Sequence, residues 1–241
     1  AQQEWDLTAS LPQVSANMGI EAVEWVANTD VAGKLIDQNT GSTFAATNYP
    51  NAVAGGVFFV ALEDNGHVYA YILNKDETVV QIADIDAKLG GAMALDYDTY
   101  EKKLWVAADD GYGNRMARIT LNGSSAPEIV HVLPAAGVNT AANNEGFAIA
   151  GAEYTMNGQR PVYRFCDGVT SGALTIGSMS CSYTASSGRH HYYPNTAISS
   201  PTTGDSGNIS FMVVLAAASG MLLAAAAVCH SKRKRTQSEI V

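Results

Sequence analysis

Three times in this chain an apolar, aromatic-rich run is closed by an acidic, glycine-containing turn and answered by an alternating run. The copies are VFFVAL–EDNG–HVYAYIL (57–73), KLWVAA–DDGYGN–RMARITL (103–121) and PVYRFC–DGVTSG–ALTIGSM (161–179). Alternation at period two, stopped by Asp, Asn and Gly, is the pattern of β-hairpins. No long helical period interrupts the copies, so residues 1–184 are expected to be all-β.

A second motif accompanies the hairpins: GIEAVEW at Gly19–Trp25, GAMALDY at Gly91–Tyr97 and NNEGFAIA at Asn143–Ala150. Aligned, Glu21, Met93 and Glu145 share one position, at intervals of 72 and 52 residues. TVVQIADI (78–85) and PEIVHVL (127–133) read as outer strands of the first two units. A repeat of this size with up to four short strands predicts β-propeller blades, in preference to a β-sandwich of hairpins. Three blades fall short of the four to eight that close a ring. The expectation is therefore a partial propeller, the C-terminal fragment of a longer protein. The opening AQQEWDLTAS has no basic n-region and no apolar h-region, so an export signal would have been removed or would lie in the missing part.

The other end of the chain is organised differently. Residues 185–208 are rich in Ser, Thr, Gly and Pro without apolar periodicity, and read as a linker. His190 and His191 fall within it and read as solvated. Ile209 to Cys229 is an uncharged run of 21 residues, and about 20 such residues suffice for a helix to cross a bilayer. Lys232, Arg233, Lys234 and Arg235 follow in the tail 230–241, and basic residues at that distance stay on the cytoplasmic side. Residues 1–208 would then lie outside, with 10 Lys and Arg against 22 Asp and Glu, a net charge of −12. So acidic a surface argues against nucleic-acid binding.

Between linker and apolar run stands SPTTG, Ser200-Pro201-Thr202-Thr203-Gly204, followed by Asp205. This pentapeptide, the apolar segment and the basic tail together resemble the sorting signal of Gram-positive cell-wall proteins, with Ser200 where Leu is commonest. The resemblance covers about the last 42 residues. It implies that a sortase transpeptidase cysteine attacks the Thr203 carbonyl, and that an amine of peptidoglycan then displaces the enzyme. Pro201 fixes its own φ and holds Ser200 extended. Gly204 leaves the approach to the carbonyl open. The implied location is the cell wall, with 209–229 in the membrane only until cleavage.

The inner "EG-φ-A" strands and LWVAADDG-type hairpins resemble the phytase-like esterase family of β-propellers, over roughly residues 15–183. Two functions follow as expectations. One is a wall-displayed binding or adhesion module whose extracellular ligand the sequence does not name. The other is a calcium-dependent phosphoester or ester hydrolase. For the second, Glu21 and Glu145 with Asp109, Asp110 or Asp167 would bind Ca²⁺ through hard oxygen ligands. Turn chemistry alone also accounts for these acids. No catalytic residue emerges: Gly-x-Ser-x-Gly and His-Glu-x-x-His are both absent from the sequence. Cys166 and Cys181, 15 residues apart in the exported part, are a candidate disulfide; two free buried thiols are the alternative.

Overall fold

A computed structural model describes residues 3–184, except 54, 135–137 and 170. The all-β expectation is met: the described residues form antiparallel sheets, none of them closed on itself. The first sheet takes β1 (Ile20–Ala27), β4 (Gly56–Leu62), β5 (His67–Leu73) and β6 (Val79–Asp86), in that order. A short helix, α1 (Asn28–Val31), and the small hairpin of β2 (Ile36–Asp37) and β3 (Ser42–Thr43) lie between β1 and β4. The second sheet is a meander of β7 (Ala94–Asp98), β8 (Lys103–Ala107), β9 (Met116–Thr120) and β10 (Glu128–Val132). The third joins β11 (Asn144–Ile149), β12 (Gln159–Cys166) and β13 (Leu174–Ser180).

The three repeated hairpins are β4–β5, β8–β9 and β12–β13, with the three aligned motifs at β1, β7 and β11. The segments read as outer strands form β6 and β10, each at the far edge of its sheet. β7 packs beside both β1 and β11, so the first strands of the three sheets run as neighbours. The turn after β4 needs its glycine. Gly66 sits at φ +70°, and a Cβ there would stand 2.9 Å from the Gly90 and Gly91 backbone.

The apolar core lies between the first and second sheets. Phe59, Ala61, Val68, Ala70 and Ile72 of the first face Leu95, Tyr97, Leu104, Val106 and Ile119 of the second. The opposite face of the first sheet buries Val60, Leu62, Tyr69 and Tyr71 beneath Leu7 and Leu11 of the N-terminal segment. Trp5 pins that segment by donating its indole N–H to Asn74 O at 2.8 Å. With both faces covered, β4 and β5 are buried at successive positions, which suits the continuous apolar run VFFVAL. The outer edge of β6 is capped by Gln38 and Asn39. Gln38 exchanges hydrogen bonds with the Asp84 backbone, and Asn39 donates to Gln81 O at 2.8 Å. These contacts satisfy groups that would otherwise template aggregation.

The third sheet corrects the disulfide expectation. Cys166 and Cys181 are both buried and both free. Cys166 N–H donates to Ala173 O and Cys181 N–H to Gly158 O, so the two cysteines occupy opposite ends of one hairpin. At about 3.3 Å per residue that is about 26 Å of strand, against the roughly 7 Å between Cα atoms that a bridge tolerates. Their sequence separation allowed a closed loop, but the β12–β13 register forbids it.

Ser200–Gly204 and the 209–229 run lie outside the described residues, as do the linker from 185 and the basic tail. Among the described residues no helix is long and apolar enough to cross a membrane.

Candidate functional site

Every repeated hairpin turns at the same end of its sheet, the end where β1, β7 and β11 begin. That end gathers carboxylates from all three sheets. Glu21 is the second residue of β1 and Glu145 the second of β11; Met93, their aligned partner, immediately precedes β7. Burial raises the Glu21 pKa, and the Glu145 charge raises it further. Glu63, in the turn after β4, is likewise raised by burial and then by Glu21, Asp109, Glu145 and Asp64. Nothing in the sequence around Glu63 sets it apart from an ordinary turn residue.

Of the five acids proposed as calcium ligands, Glu21, Asp109 and Glu145 therefore share one electrostatic neighbourhood. Asp110 and Asp167 are exposed in their turns and are not among the charges acting on Glu63. Glu145 Oε1 accepts a hydrogen bond from Asn143 at 2.8 Å, and Asp109 Oδ1 is buried without a donor. Even so, no three His, Cys, Asp or Glu among the described residues form a group able to hold a metal ion. His67, which stands alone in the sequence, is paired: its Nδ1 lies 2.6 Å from Asp84 Oδ1 and its Nε2 3.9 Å from Asp86 Oδ2.

A second carboxylate pair sits at the seam of the inner strands. Asp96, in the middle of β7, accepts the Ile149 N–H of β11 at 2.9 Å. Burial pushes its pKa up to about 6, with Asp98 adding to the rise. Glu24 of β1 is pushed up to about 7, by burial first and then by the Asp96 charge. The repeat alignment held the signal for this pair, since Glu24 and Asp96 stand three residues after Glu21 and Met93.

Both acids titrate higher in the folded chain than in the unfolded one. Ionising them therefore costs the fold, and stability falls as pH rises from about 4 through about 7. Discounted for partial exposure, the pair is worth about 2 kcal/mol, or roughly 4–8 °C in Tm. Because the loss starts near pH 4, a little under half of it falls above pH 5.5, and the Tm is expected to be lower by roughly 2–4 °C at pH 8 than at pH 5.5. The double variant Glu24→Gln/Asp96→Asn should remove at least half of the drop. An equal drop in the variant would show that other groups carry it.

At the opposite end of β7, Asp98 forms a buried ion pair with Arg160 of β12, each side chain 1 % exposed. Arg160 Nη1 donates to Asp98 Oδ1 at 3.0 Å, and Nη2 contacts Oδ2. Asp98 Oδ1 also accepts the Tyr100 and Glu101 backbone N–H groups. This pair clamps the second sheet to the third.

Compared with family models, with curated proteins and with solved structures, the chain finds no match in any of the three.

Proposed function

We propose that the chain is a cell-wall-anchored surface protein of a Gram-positive bacterium, displaying a partial β-propeller as a binding or adhesion module. The observation that carries this reading is the ordered run of SPTTG at Ser200–Gly204, the uncharged segment Ile209–Cys229 and the basic Lys232–Arg235. Each part has its physical task. The pentapeptide is an extended substrate, the apolar segment holds it at the membrane, and the basic residues keep the tail inside. The propeller part of the reading is supported by three antiparallel sheets whose first strands lie side by side, with their repeated turns at one end. In this reading the sheets are blades, sortase and peptidoglycan are the partners, and Thr203 becomes the linked residue.

Fractionation of producing cells tests it. The full chain should be released only by a wall-degrading enzyme, whereas a chain stopped at Ser199 should pass into the medium. Equal wall retention of the two would overturn the reading. The alternative, a phytase-like hydrolase, would be revived by phosphoester hydrolysis that appears with Ca²⁺ and disappears with a chelator.

A further inference from the structure

The second and third sheets leave space between their facing side chains. Between them lies a cavity of about 570 Å³, within the range of about 300–1,000 Å³ typical of small-molecule sites. Its walls are mainly apolar, with Met116, Val132, Phe147 and Val162 among them. Arg164 is the one charged residue among the described residues lining it, and no Asp or Glu is present. In a chain with 23 acidic residues against 14 basic, that selection of charge is opposite to the rest of the surface.

Arg164 is held in place without an anion. Its Nη2 lies 2.8 Å from Met116 Sδ, a weak acceptor, and its guanidinium sits 5.7 Å from the centre of the Phe147 ring. Burial alone depresses its pKa, as expected for a desolvated cation that lacks a compensating charge. One donor at the cavity is unsatisfied. Trp105 lines the cavity and is only 6 % exposed, and its indole N–H is buried with no acceptor. A buried donor without a partner costs about 1–3 kcal/mol, so the Trp105 N–H, beside the same apolar cavity as a guanidinium that has no anion, calls for a ligand that brings oxygen.

We propose that this cavity binds an organic monocarboxylate with an apolar or aromatic body, its carboxylate held by Arg164 and its body by the Phe147 side of the cavity. A guanidinium fork matches the two oxygens of a carboxylate. A single guanidinium among apolar walls suits one charge better than the two of a phosphate monoester. The inference stands apart from the wall-anchor reading and supplies the module with a class of ligand.

The geometry also supplies a way to close the cavity without touching Arg164. Gly177 of β13 pairs with Val162 and lines the cavity, and a Cβ there would meet nothing nearer than Val162 O at 4.0 Å. Gly177→Leu should therefore fill the space while leaving the strand unstrained.

Calorimetric titration of the full chain with 4-phenylbutyrate, 4-phenylbutan-1-ol and butyrate tests the proposal. The expected result is saturable binding of 4-phenylbutyrate at one site, with the alcohol and the short acid each at least 10-fold weaker. Arg164→Met should weaken the aromatic acid at least 10-fold. Gly177→Leu should abolish its binding with Tm unchanged or raised. Equal binding of acid and alcohol, a change below 2-fold in Arg164→Met, undiminished binding in Gly177→Leu, or no binding of any probe would each overturn it.

Discussion

Arg160→Met is expected to cost the fold about 3–5 kcal/mol, because it strands the Asp98 carboxylate in an interior where its side chain is 1 % exposed. The Tyr100 and Glu101 N–H groups would remain as donors, but two neutral donors do not replace a guanidinium. At about 2–4 °C per kcal/mol for a domain of this size, Tm should fall by about 6–20 °C. The test of cause is the double variant Arg160→Met/Asp98→Asn. Asn keeps the acceptor for Tyr100 and Glu101 and removes the charge, so much of the loss should return. Replacing a buried ion pair by neutral groups is commonly tolerated, whereas removing one partner is not. Thermal melts of the two variants decide it: an equal loss in both would place the damage in the packing around the substituted side chain rather than in the orphaned charge.

The second large effect concerns attachment. Gly204→Val is expected to lower the wall-linked fraction at least 10-fold, about 1.4 kcal/mol or more in the acylation barrier. A β-branched side chain would stand beside the Thr203 carbonyl, where the proposed sorting reaction brings a cysteine nucleophile. The substitution leaves the apolar segment and basic tail intact, so the uncut chain should accumulate in the membrane fraction. Immunoblots of wall and membrane fractions read both quantities together. Unchanged wall linkage would place the cleavage elsewhere, and loss from both fractions would point to failed export rather than failed sorting.

What the sequence revealed was local. Each strand that period-two apolarity and turn residues predicted is present, down to the outer positions of β6 and β10. The pairing of sheet faces was not legible, because it joins residues far apart in the chain. Asp98 and Arg160 are 62 residues apart, and neither stands in a motif that pairs them. Glu24 and Asp96 sat in the aligned repeat, but alignment shows equivalent positions and not which strands are neighbours. The Cys166–Cys181 expectation failed for a related reason: loop length was visible and strand register was not. Glu63 looked like turn chemistry, and it became part of the acidic end only when three sheets placed their turns together. The cavity around Arg164 arises from the spacing of two sheets, which no sequence pattern specifies.

Wall anchoring is decided by mass spectrometry of the protein released from producing cells by a muralytic enzyme. The expected product is a C-terminal peptide ending at Thr203 and carrying a cell-wall peptide. Recovery of the intact tail through Val241, and from the membrane fraction alone, would contradict the anchor and leave a single-pass membrane protein in its place.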